Sequence, residues 1–81
     1  SLGLTPETAK FYIQAGSFRE PQNARHMRET LSERYPDLTI RIEKADDFHR
    51  IWIGPLETET DAADWMERLE HDGVSAFILR R

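Results

Sequence analysis

Eighty-one residues leave room for one hydrophobic core, and a 38% apolar content is enough to fill it. A formal charge of -4 argues against nucleic acid, whose binders carry a basic face, and zero cysteines exclude disulfides, thiol catalysis and zinc–thiolate sites. No apolar run approaches the ~20 residues of a membrane span, and no signal peptide is visible. The chain starts at Ser1 rather than Met. It is therefore expected to be a piece of a longer protein, with any export signal or anchor lying outside it.

Residues 1–9 show no periodicity and are punctuated by Gly3 and Pro6, which reads as a linker or irregular arm. From Lys10 to Ala15 the chain alternates, with Phe11, Ile13 and Ala15 on one side and Tyr12 and Gln14 on the other. That is the period of a strand with one buried face, which Gly16 is expected to end. Pro21 suits a first helical position, and Ala24, Met27, Leu31 and Tyr35 recur at helical spacing until Pro36 stops the helix. Leu38, Ile40 and Ile42 alternate with Thr39, Arg41 and Glu43 in a second strand. After the turn residues Ala45-Asp46-Asp47, a third strand runs from Phe48 to Ile53, with Arg50 and Trp52 outward, and ends at Gly54-Pro55. Thr58 with Asp61 three residues on marks a helix start, and Ala62, Trp65, Met66 and Leu69 form its apolar stripe. Gly73 is a helix-ending glycine, and Val74 to Leu79 is the last strand. Either Val74, Ala76 and Ile78 or the set containing Phe77 faces inward there, since both are apolar.

The two halves match at a fixed offset of 38 positions. Ile13 corresponds to Ile51, Gly16 to Gly54, Ala24 to Ala62, Leu31 to Leu69 and Ile40 to Ile78. A strand–helix–strand unit given twice predicts an α+β, ferredoxin-like (RNP-like) βαββαβ fold. Its antiparallel sheet has strand order 4-1-3-2, with both helices on one face. Residues 10–81 then form the domain. The first and third strands become central neighbours, so Tyr12, Gln14, Arg50 and Trp52 project together from the uncovered face, flanked by Thr39, Arg41 and Glu43. Exposed rings beside an amide and arginines suit either stacked bases or the C–H faces of sugars. They are also ordinary strand residues, since Tyr and Trp favour strands in any case.

Phe11-Tyr12-Ile13-Gln14-Ala15-Gly16-Ser17-Phe18, followed by Asn23-Ala24, resembles the opening of the SPOR domain, which runs aromatic-x-V-Q-x-G-S-F before a helix. His49-Arg50-Ile51-Trp52-Ile53-Gly54-Pro55-Leu56 is similar to that family's Y-R-V-x-x-G-P-F, with His49 in place of Tyr and Leu56 in place of Phe. The likeness spans Phe11 to about Leu79. It implies a non-catalytic, extracytoplasmic (periplasmic) bacterial module that binds glycan strands denuded of stem peptides and targets its parent protein to the division septum. It also implies that Gln14 and Ser17 take part in binding. The expected glycan-binding set is Tyr12, Gln14, Ser17, Arg41, Arg50 and Trp52. Ser17 either bonds the sugar or ties down the turn. Arg50 or Arg41 is placed to pair with the lactyl carboxylate that muramic acid exposes once its peptide is gone. The bland alternative is that both support Glu43.

Nothing points to catalysis. The histidines His26, His49 and His71 lie on separate elements without metal-ligand spacing, and Ser17 lacks a nucleophile elbow. Glycoside hydrolysis needs two facing carboxylates, and the uncovered face supplies Glu43 alone. No cofactor or metal, no direct insertion into a membrane and no nucleic acid partner are expected, and the domain is expected to be monomeric. The competing readings are an RRM-like binder of single-stranded RNA and a protein-interaction module on the same face.

Overall fold

The structure, a computed structural model, describes residues 10–81. The linker reading of residues 1–9 falls outside the described residues. The elements run β1 (Phe11–Phe18), α1 (Pro21–Arg34), β2 (Ile40–Ala45), β3 (Phe48–Leu56), α2 (Glu59–His71) and β4 (Phe77–Arg80). The strands form one antiparallel sheet in the order β2-β3-β1-β4, the arrangement that the internal repeat predicts. Ile13, Ala15, Ile51 and Ile53 fill the helix side of the two central strands, and Ala24 and Leu31 of α1 and Leu69 of α2 pack on them. Val74 and Ala76 also pack on this core, and Ile78 pairs with Ile13 across β1–β4, so Phe77 and Leu79 take the uncovered face. That settles the orientation of the last strand.

Both central strands run further than their sequence suggests. Gly16 and Gly54 do not end them; each sits in a bulge through which the strand continues to Phe18 or Leu56. β1 carries one extra residue between Gln14↔Trp52 and Ser17↔Arg50, and β3 carries one between Ile13↔Ile53 and Phe11↔Leu56. The two glycines have φ of +145° and +136°, a region that side-chain-bearing residues avoid. The bulge in β1 has a direct result for the surface. Ser17 lies three positions after Gln14, which in a regular strand would put them on opposite faces; the extra residue returns Ser17 to the face of Gln14.

The helix ends follow the chemistry of their residues. Thr58 Oγ1 accepts from the Asp61 backbone N–H at 3.0 Å, satisfying one donor of the first turn of α2. At the other end Gly73, with φ +85°, donates to the Glu70 carbonyl, and Val74 donates to that of Leu69, the paired bonds of a Schellman motif. α1 starts on Pro21 with no side-chain cap. Tyr35 at its end is 1% exposed and reaches across to the end of α2. There its hydroxyl donates to the carboxylate of Asp72, whose other oxygen meets Arg34 at 3.2 Å. Trp65 packs edge-on against the Tyr35 ring, with centroids 5.7 Å apart, and Arg68 lies over both rings. This cluster joins the ends of the two helices at the edge of the core.

Two predictions follow from these contacts. At Gly54 an added Cβ would lie 2.9 Å from the Phe11 carbonyl oxygen and 3.1 Å from the Leu56 nitrogen, whereas at Gly73 it would meet nothing within 4 Å. Gly73→Ala therefore costs about 1 kcal/mol of backbone strain, and Gly54→Ala costs clearly more, measured by urea denaturation. The second concerns pH. The Tyr35 hydroxyl, ahead of Arg34, holds the Asp72 carboxyl below its ordinary value, while burial and the bond to Asp72 push the Tyr35 phenol up. The carboxylate's contribution is complete above the ordinary carboxylate pKa and is lost as pH falls through the lowered folded value. The phenol's is complete below the ordinary tyrosine pKa and is lost as pH rises through the raised one. Asp72→Asn should thus flatten the acid limb of a plot of melting temperature against pH, and Tyr35→Phe should flatten both limbs.

Candidate functional site

On the uncovered face Gln14 and Trp52 stand directly opposite each other across β1 and β3. Trp52 Nε1 donates to Gln14 Oε1 at 3.2 Å. An indole N–H can only donate, so the amide must present its oxygen to the ring, and its NH2 group is directed elsewhere. Trp52 thereby fixes which way Gln14 offers its donors. Gln14 is 9% exposed, so this orientation is set inside the fold rather than in solvent.

Beside this pair lies a groove with a volume near 470 Å³, lined by Gln14 and Ser17 of β1, Phe48, Arg50 and Trp52 of β3, and Phe77, Leu79 and Arg81 of the last strand and its end. Its lining contains two guanidinium groups and no carboxylate, in a chain whose formal charge is -4. A larger recess of about 690 Å³ lies along α2, but Asp64, Glu67, Arg68, Glu70 and His71 all come from that one helix and no second element closes it. Among the described residues no group of three His, Asp or Glu side chains is placed to hold a metal ion.

The structure brings four of the six expected residues, Gln14, Ser17, Arg50 and Trp52, to the groove. Tyr12 and Arg41 lie outside its lining. Arg41 meets Glu43 at 3.3 Å along its own strand. For Arg50, cross-strand register with Glu43 coexists with a place in the groove.

The expectation of open aromatic faces needs correction: Tyr12 and Trp52 are only 7% and 6% exposed. No helix covers them. They pack on each other with centroids 5.3 Å apart, Arg41 lies over both rings, and Arg81 lies 5.0 Å over Trp52. The aromatic ring left open is Phe77, 51% exposed at the groove wall. Phe48, Phe77, Leu79 and Arg81 were absent from the expected set. Phe48 shares the parity of Arg50 and Trp52, a signal the sequence does carry. Phe77, Leu79 and Arg81 needed the orientation of β4, which two apolar faces leave undetermined.

Comparison with known proteins places this geometry. A curated relative, the endolytic peptidoglycan transglycosylase RlpA of Helicobacter pylori, is 25% identical over 65 residues, which cover 80% of this chain. The matched stretch is 21% of that relative, so the chain spans about a fifth of its length. Among solved structures, the peptidoglycan binding domain of the B. subtilis cell wall lytic enzyme CwlC superposes with a TM-score of 0.78 at 18% identity, covering 99% of each chain. The RlpA SPOR domain from Pseudomonas aeruginosa superposes with a TM-score of 0.69 at 19% identity, over 88% of this chain and 99% of that one. At those identities the likeness is one of fold. The SPOR domain family itself matches residues 7–80, nearly the whole chain, including both glycine bulges and every groove-lining residue except Arg81. The chain belongs to the SPOR domain family.

Proposed function

We propose that this chain is a non-catalytic peptidoglycan-binding module that recognises glycan strands denuded of stem peptides. In this reading it acts outside the cytoplasm, in the periplasm at the division septum, and brings the protein it belongs to there. It works as a monomer. The observation that carries the reading is the groove: an oriented amide, a serine hydroxyl and two arginines beside aromatic and aliphatic surface, with no acidic residue. Membership of the SPOR family and the fold shared with the CwlC peptidoglycan binding domain support it. Sugars offer hydroxyl and N-acetyl groups to Gln14 and Ser17 and C–H faces to the rings. A lining without a carboxylate cannot supply the acid and base of glycoside hydrolysis.

Preference for denuded strands comes from charge. Cleaving the stem peptides leaves a free lactyl carboxylate on each muramic acid of the strand, and Arg50 pairs with one of them. Arg41, paired with Glu43, is not needed for this step. A single-stranded RNA reading is disfavoured by the chain's formal charge of -4, since nucleic-acid binders carry a basic face.

Co-sedimentation with purified sacculi, before and after amidase treatment, tests this. Binding should rise after stem-peptide removal. Arg50→Ala should then lose affinity for the treated material on the order of tenfold, the worth of one charge-assisted hydrogen bond, and much less for the untreated. Equal losses on both would remove the carboxylate pairing, and no binding to either would remove the peptidoglycan reading. Gln14→Ala should weaken binding too. Because it also strips the partner from a buried indole N–H, its melting temperature should fall by several degrees, about 4–8 °C per kcal/mol for a domain of this size.

A further inference from the structure

Guanidinium groups sit over most aromatic rings of the uncovered face. Arg19 lies 4.9 Å from the Phe48 centroid, Arg41 5.4 Å from Tyr12 and 5.8 Å from Trp52, and Arg81 5.0 Å from Trp52. Trp52 is therefore flanked by two arginines, one from the β2 side and one from the β4 side, and these are held differently. Arg41 is bonded to Glu43 at 3.3 Å. Arg81 pairs with no carboxylate among the described residues. Its backbone is pinned, since Lys10 and Arg81 exchange hydrogen bonds of 2.7 and 2.8 Å, while the residue itself is exposed. An exposed side chain on a fixed Cα can swing without disturbing the sheet.

The geometry points to Arg81 as a displaceable cap that sets the ligand specificity of this groove. In the ligand-free chain its guanidinium covers the Trp52 indole. An anionic group on the ligand draws it off the ring, and the uncovered indole then packs on the sugar. This rests on the glycan reading above and deepens it. The direction of exchange follows from relative strengths. An exposed cation–π contact is weaker than a charge-assisted, bidentate hydrogen bond to a carboxylate. A carboxylate-bearing glycan thus replaces what the arginine gives up. A neutral glycan must displace the arginine with nothing in return. Arg81 discriminates by charge twice, rewarding the anion and obstructing the neutral chain.

The test compares wild type with Arg81→Ala and Arg81→Lys, in two measurements. The first needs no ligand: acrylamide quenching of Trp52 fluorescence in a Trp65→Phe background, with the fold checked by circular dichroism. Arg81→Ala should raise the quenching constant, and Arg81→Lys should raise it less. An unchanged constant overturns the cap. Should Trp65→Phe fail to fold, the Trp52 indole N–H resonance in the protein with Trp65 intact gives the same readout, shifting on Arg81→Ala.

The second measurement is affinity for amidase-released glycan strands and for neutral chito-oligosaccharide. Arg81→Ala should bind the neutral chain about two- to fivefold more tightly and the carboxylated chain on the order of tenfold more weakly. An unchanged ratio of the two affinities overturns the specificity role. If wild type binds neither probe, the glycan reading has failed and the ligand exchange with it, while the quenching result still decides whether Arg81 caps the indole.

Discussion

The pairing of β1 with β3 is the constraint on which the molecule depends. Gln14 and Trp52 are 38 residues apart, the same as the offset of the internal repeat, and they face each other in the register. Shifting by the repeat turns each into the other, so the pair lies on the local two-fold relation between the halves. The flanking pairs obey it as well, Phe11↔Leu56 on one side corresponding to Phe18↔His49 on the other. Each half alone is a strand–helix–strand unit whose apolar face is too large for it to cover. Only the central pairing brings Ile13 and Ala15 against Ile51 and Ile53 to make one floor for both helices.

The same pairing makes the site unsymmetrical where it needs to be. Both halves have a glycine bulge, but the residue after the glycine is Ser17 in one and Pro55 in the other. The first bulge turns a hydroxyl into the groove beside Gln14, and the second turns the chain toward α2. Across the two-fold relation Phe77, Leu79 and Arg81 correspond to Thr39, Arg41 and Glu43, so one outer strand supplies an aromatic wall and an arginine, the other an internal ion pair. A repeated fold thus yields a single groove. The Tyr35–Asp72 cluster, on the opposite side of the sheet, holds the helices together without drawing on any residue of that groove.

Much of this was legible in the sequence, for reasons that can be named. Ile13 and Ile51, Ala24 and Ala62, and Leu31 and Leu69 repeat in step, and period and offset together fix the topology; Thr58 with Asp61 and Gly73 mark α2 by capping chemistry alone. Gly16 and Gly54 misled, because a glycine in a strand reads equally as an end or as a bulge, and only pairing with a partner strand separates the two. The burial of Tyr12 and Trp52 was beyond any local pattern. It arises from the packing of the two rings on each other and from the side chains of Arg41 and Arg81, on β2 and at the end of β4, which reach the central strands only once the sheet has formed. The face of β4 was undecidable while both of its alternating sets were apolar. Arg81 and Phe77 therefore entered the site only through the structure.

The central claim is that ligand recognition occurs in the groove on the uncovered sheet face, not on the helices. Titrating the isotope-labelled chain with amidase-released glycan strands, followed by amide and side-chain chemical shifts, tests it most directly. The expected result is a continuous set of perturbations through Gln14, Ser17, Arg50, Trp52 and Phe77, with the residues of α1 and the outer surface of α2 unmoved. Shifts centred on the α2 recess around Glu67 and His71, with the groove silent, would contradict it.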